Sequence, residues 1–142
     1  MSDRDPLEIA ARALRHRDRS RREIAERLVR AGVNADERDH ALETLERVGY
    51  VDDARFAAGR AEALAARGLG DAAIRHDLGE HGVAGDKAEA ALRALVPEAA
   101  RAQALAERLG TTAKTAAALS RKGFAPESLE AAFGGEIAEH DV

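Results

Sequence analysis

The chain has 142 residues, of which 34% are charged and only 3% aromatic, and its formal net charge is −4. Its hydrophobic share is 45%, but 34 of those residues are alanine, the best intrinsic helix former and one that adds little buried area. Few aromatic and β-branched residues argue against an all-β fold or a buried parallel sheet, and the absence of cysteine excludes disulfides and thiolate chemistry.

Pro6 opens a first predicted helix that runs to about Arg17, with Leu7, Ala10, Ala11 and Leu14 on one stripe. Ser20 is a good N-cap for a second helix, and Glu23 completes a capping box. Ile24, Leu28 and Ala31 form its apolar stripe, and Gly32 stops it ahead of Val33. A third helix is predicted from about Ala35 to Val48, turning Ala41, Leu42, Leu45 and Val48 inward, with Gly49 at its end. Asp52 and Asp53 stand at the start of the next helix, where Asp caps the end and suits the dipole, so they read as structural carboxylates. Phe56 is expected in the core, sealing the joint between the first two repeats with Tyr50 nearby.

The pattern then recurs. Gly70 to Val83, GDAAIRHDLGEHGV, lines up with Ser20 to Val33, SRREIAERLVRAGV. Ile24 matches Ile74, Leu28 matches Leu78, and Gly32-Val33 matches Gly82-Val83; Leu42 and Leu45 match Leu92 and Leu95 at the same offsets. A fainter third copy puts Thr111 at the cap, Leu119 on the stripe, and Gly123-Phe124 at the stop. The spacings are unequal, 50 residues and then 41, which confines insertion to the linking helices. The fold expected is all-α: three tandem three-helix repeats, at residues 1–49, 50–96 and 97–134, forming an elongated, curved body with a concave side. Gly134-Gly135 opens an acidic tail, 135–142, expected to be flexible.

No nucleophile elbow, phosphate loop or metal spacing occurs, and the histidines (His16, His40, His76, His81, His140) read as surface residues. No cofactor or catalytic residue is expected. No run approaches the roughly 20 apolar residues of a membrane span, and the polar, charged N-terminus does not read as a secretory signal. With no cysteine, the chain suits a reducing cytoplasm.

Charge is unevenly placed. Between Arg12 and Arg30, eight arginines face three acidic residues, a net of +5 inside an acidic chain. Glu23 stands four before Arg27, a favourable helical pair. Arg21 and Arg22 occupy the first turn of a helix, where the macrodipole disfavours cations, and Arg19 just precedes the cap. Arg17, Arg19, Arg21 and Arg22 are therefore the leading candidates to face an acidic surface or a phosphate backbone, with Arg27, Arg30 and Arg67 beside them.

Four segments in order carry a family resemblance: RHRDRSRREIAERL (Arg15 to Leu28), GYVDDARFA (Gly49 to Ala57), RGLGDAAIRHDLGEHGV (Arg67 to Val83) and SRKGF (Ser120 to Phe124). Together, across about Leu7 to Phe133, they resemble the RecX regulatory proteins of bacteria. The resemblance implies three tandem three-helix repeats and a protein that binds the RecA recombinase filament and modulates it, usually as an inhibitor. Gly59 and Arg60 stand where the family often has an aromatic, and Asp71 where a Pro or basic residue is common; with the acidic total, these departures speak against tight direct DNA binding. The leading reading is a non-enzymatic, monomeric, cytoplasmic regulator of recombination and the SOS response. It would dock on the RecA nucleoprotein filament, with DNA touched at most weakly within it. The alternative is a helical nucleic-acid-binding module that competes for DNA, and a third is an adaptor for another protein.

Overall fold

The helix-forming bias of an alanine-rich chain is expressed throughout. The computed structural model describes residues 5–134, and among these it contains nine α-helices and no strand. They are α1 (Pro6–Leu14), α2 (Arg21–Arg30), α3 (Ala35–Arg47), α4 (Asp53–Ala66), α5 (Asp71–Glu80), α6 (Gly85–Arg93), α7 (Glu98–Leu109), α8 (Ala113–Arg121) and α9 (Pro126–Phe133). Close helix packing falls within the triplets α1–α3, α4–α6 and α7–α9. Each triplet has its own small core: Ile24, Leu28, Leu42 and Leu45 in the first, Ile74, Leu78 and Leu92 in the second, Leu119, Phe124 and Phe133 in the third. The fold is all-α, built of three three-helix units. The predicted acidic tail lies outside the described residues.

The second helix of every unit ends in the same way. Gly32, Gly82 and Gly123 take positive φ (84°, 81° and 96°), and the next N–H reaches back five residues, as in Val33 N to Leu28 O, Val83 N to Leu78 O and Phe124 N to Leu119 O. This left-handed stop turns the following Val33, Val83 or Phe124 inward, where each is at most 6% exposed.

Several sequence expectations need correction. The first helix stops at Leu14, short of Arg17, because Arg19 Nε donates to the freed Ala13 carbonyl at 2.7 Å and takes the place of the next turn. Its buried residues are Ala10 and Ala13, and Leu7 is 40% exposed. At the end of α3, Val48 is 54% exposed and Val51 is buried in the first core, since the turn at Gly49 directs Tyr50 N and Val51 N to the Leu45 carbonyl and reverses the chain. The cap of α8 is Thr112, one residue past the expected Thr111, with its hydroxyl accepting from Thr115 N. His81 is half-buried, not freely exposed: its Nδ1 lies 2.8 Å from the Asp77 carbonyl oxygen and its ring 5.5 Å from that of Phe56.

The second and third units meet backbone to backbone. Gly70 N donates to Lys122 O at 2.8 Å and Ala72 N to Gly123 O at 3.2 Å. A Cβ on Gly70 would run into the Gly123 backbone, and one on Gly123 would lie 2.6 Å from Ala73 N. The N-cap residues of α5 and α9 are Gly70 and Ala125, whose side chains cannot cap them. Glu98 of α7 serves both, accepting from Asp71 N (2.7 Å), Ala125 N (3.1 Å) and the Ser128 hydroxyl (2.6 Å). Burial alone would raise the Glu98 carboxyl, but these bonds and the nearby Arg101 charge hold it below the ordinary glutamate range.

Candidate interaction site at the first joint

The site begins with a cap. Ser20, fully buried, accepts from Glu23 N at 3.2 Å, and Glu23 Oε1 accepts from Ser20 N at 2.9 Å, which closes the capping box of α2. The other Glu23 oxygen takes Arg17 Nη2 at 3.1 Å. Burial would raise the Glu23 carboxyl, but the Ser20 N–H and Arg17 outweigh it and hold it low. Glu23 is thus spent on the N-terminal side, and the predicted helical pair with Arg27 does not form.

The four leading arginines have different fates. Arg17 is about half exposed and donates to Glu23 and to the Asp18 carbonyl. Arg19 is 19% exposed and turned inward to Ala13 O; burial, then the charges of Arg17 and Arg27, lower its pKa against the pull of Glu23. Arg21 does have partners in the fold, contrary to the premise on which it was singled out: its Nε donates to Glu46 Oε1 at 3.0 Å, and its backbone N–H is capped by Asp53 Oδ1 at 2.8 Å. Arg22 is exposed and lies across Gly82 of the second unit, where an added Cβ would meet its Nε at 2.6 Å. Arg27 is half-buried on α2, while Arg30 and Arg67 are exposed ends of α2 and α4; none of the three has a carboxylate partner among the described residues.

Asp52 and Asp53 divide the capping work. Asp52 caps its own helix, accepting Arg55 N at 3.0 Å, whereas Asp53 reaches across to the start of α2. Phe56 is 4% exposed and packs in the second core with Ile74 and Leu78; Tyr50, expected beside it, is 63% exposed because the chain reversal at Gly49 turns Val51 inward instead.

Sequence reasoning passed over the residues that tie this joint together. Arg55 Nε donates to Asp18 Oδ2 at 2.9 Å, and its Nη atoms reach the carbonyls of Gly49 and Tyr50. The Asp18 bond, outweighing burial, raises the Arg55 pKa. Within the second unit, Arg60 of α4 grips Asp77 of α5 through two bonds, 2.7 and 2.9 Å, which holds the Asp77 carboxyl low despite burial. The signal was present in the DDARFA segment, whose Arg55 sits one turn into α4, but its partner Asp18 is 37 positions away. Arg17, Asp18, Arg55, Gly59 and Arg60 border an open cleft of about 360 Å³ between the first two units, with Phe56 at its edge. Among the described residues no group of acidic or histidine side chains could hold a metal, and no helix is long and apolar enough to cross a membrane.

Comparison with known proteins bears directly on this arrangement. A family model described as the second three-helix domain of RecX matches residues 52–92, the span from the α4 cap to α6. The regulatory protein RecX of Xanthomonas citri is 32% identical over 140 residues, covering 92% of this chain and 86% of its own. The chain belongs to the RecX family. The regulatory protein RecX of Acidithiobacillus ferrooxidans is similar at 31% identity, over 92% of this chain and 89% of its own. The crystal structure of RecX from Lactobacillus salivarius shares the fold, with a TM-score of 0.79 at 19% identity, over 88% of this chain and 90% of that one. A second crystal structure, of a regulatory protein RecX, superposes with a TM-score of 0.74 at 21% identity. The fold of the RecX family is therefore the fold of this chain, and a regulatory role goes with membership.

Proposed function

We propose that this RecX-family chain regulates recombination and the SOS response by docking on the RecA nucleoprotein filament, acting by binding and not by catalysis. On this reading it restrains ATP turnover, strand exchange and stimulated repressor cleavage. The observation that supports the proposal is Arg22 of the first unit, which lies exposed across Gly82 of the second with no carboxylate partner among the described residues, beside a cleft whose own arginines (Arg17, Arg55 and Arg60) are paired with Glu23, Asp18 and Asp77. A filament repeats its subunits, so a surface drawn from two successive units suits a partner that presents acidic groups at intervals. Arg22, Arg30 and Arg67 are the exposed members of the candidate set without a carboxylate partner among the described residues, and they are the ones available to an acidic patch. Arg19 acts as a structural cap and contributes through the shape of the loop.

The test is to add the protein to RecA on single-stranded DNA and follow ATP hydrolysis. Stoichiometric amounts should slow it, and Arg22→Ala with Arg67→Ala should weaken that effect while the circular-dichroism spectrum stays unchanged. An unaffected hydrolysis rate with the wild-type chain removes the proposal.

A further inference from the structure

The third unit carries a charge pattern that the first joint does not explain. No acidic residue stands between Glu107 and Glu127, whereas elsewhere successive acidic residues are never more than ten positions apart. The interval contains Arg108, Lys114, Arg121 and Lys122, all exposed and all without a carboxylate partner among the described residues. At its centre is α8. Its counterparts α2 and α5 carry Glu23 and Glu26, and Asp71, Asp77 and Glu80; α8 carries none.

The same gap shows at the helix ends. Eight of the nine described helices have an acidic residue in the first turn, which offsets the positive end of the dipole. The exception is α8, whose first turn instead holds Lys114. Lysine there costs stability locally, and no carboxylate among the described residues pairs with it. Lys114, Ala117 and Arg121 lie on one exposed face at i, i+3 and i+7, and Lys122 forms the C-cap. At 1.5 Å per residue, Lys114 and Arg121 are about 10 Å apart along the axis.

We infer that the exposed face of α8 docks on the phosphate backbone of duplex DNA without reading sequence. A protein partner of standard affinity would want an aromatic or large aliphatic anchor at the centre of the contact. The exposed face of α8 offers alanine there, because Leu119 is buried in the third core. A single strand would want aromatic side chains on which to stack bases, and α8 has none. Cations fixed about 10 Å apart on a rigid helix suit phosphates flanking a major groove roughly 12 Å wide, and small alanines between them allow close approach. With so few phosphate contacts the binding is weak and steep in salt.

The experiment uses the full chain without RecA, so its outcome is separate from that of the filament proposal. Binding to a short labelled random-sequence duplex is measured across a range of salt concentrations. The wild type should bind with log affinity falling linearly against log salt. The variant Lys114→Gln, Arg121→Gln, Lys122→Gln should lose about 10-fold or more at low salt, and its slope should flatten by about 2 to 3, at roughly 0.9 per phosphate contact. A control of equal charge change, Arg47→Gln, Lys87→Gln, Arg93→Gln, should leave the slope in place. Equal loss in the control would overturn the inference, since net charge alone would then account for the binding. So would an unchanged slope in the α8 variant, or retention of a single strand in preference to the duplex.

Discussion

Glu98→Gln is the sharpest probe of the joint between the second and third units. The carboxylate accepts three hydrogen bonds, at 2.7, 3.1 and 2.6 Å, from groups in both units, and two of these donors are backbone N–H groups at helix starts that have no side-chain cap of their own. A hydrogen bond to a charged group contributes about 1.5–3 kcal/mol net, and glutamine retains one acceptor oxygen, so roughly two of the three bonds weaken. Because Glu98 is only partly buried, the lower end applies, and a loss of about 3 kcal/mol is expected. For a chain of this size that corresponds to a fall of about 6–12 °C in Tm, read by circular dichroism at 222 nm and pH 7.

The pH dependence supplies a check of sign. The Glu98 carboxyl is held below the ordinary glutamate value, so its contribution is complete above the unfolded value of about 4.3 and is lost as the pH falls through the lowered folded value. The wild type and Glu98→Gln should therefore differ by a constant amount from pH 8 down to about 5, and the gap should close only in stronger acid. A Tm within about 2 °C of wild type at pH 7 would refute the clamp. A gap that widened on acidification would refute the electrostatic reasoning.

Three further substitutions test neighbouring features by the same melting assay. Gly70→Ala drives a methyl group into the Gly123 backbone and should cost about 1–3 kcal/mol or more, since neither backbone can withdraw without breaking the Gly70–Lys122 bond. Gly59→Ala lies inside α4 with nothing within 4 Å of the added methyl and should stabilise the chain by about 0.5–1 kcal/mol; a loss would mean that the cleft floor is closer than described. Asp53→Ala removes a single cap from the start of α2 and should cost about 1 kcal/mol, well below Glu98→Gln; equal costs would contradict the difference in hydrogen-bond number.

What was legible in the sequence was whatever is local. The stripe of Ile24 and Leu28, the Ser20 box and the glycine stops all depend on residues within two helical turns of each other, and their recurrence at Ile74, Leu78 and Gly82 announced the units. Helix ends were less legible where a distant group replaced a local one. Arg19 ends α1 by taking the Ala13 carbonyl, and Val51 displaces Val48 from the core through the turn at Gly49. The joints were not legible at all. Asp53 with Arg21 N and Glu98 with Asp71 N join residues 32 and 27 positions apart, and no periodic pattern links an acidic residue to a backbone N–H at that range. The same range hid the partner of Arg21, Glu46, which lies 25 positions on.

Those two joints explain how unequal repeats still build the same junction. Asp53 and Glu98 are each the first residue of a unit's opening helix, and each caps the first N–H of the preceding unit's second helix. Arg55 and Arg101 follow within the first turn or so, and each reaches back past that helix start: Arg55 to Asp18 and the Gly49 carbonyl, Arg101 to Asp71 and the carbonyls of Leu69 and Val96. The separation between cap and capped N–H is 32 positions in one joint and 27 in the other; most of the difference is that α3 has 13 residues and α6 only 9, about one helical turn, and the rest is one extra residue in the turn that follows α3. A whole turn restores the direction in which the chain leaves the third helix, so the next unit starts on the same side and its acidic first residue meets the same target. The constraint on this fold is thus the phase of the third helix and not its length. An insertion of a full turn there would keep the junction, while one of two residues would swing the next acidic cap to the far side of the unit it must hold.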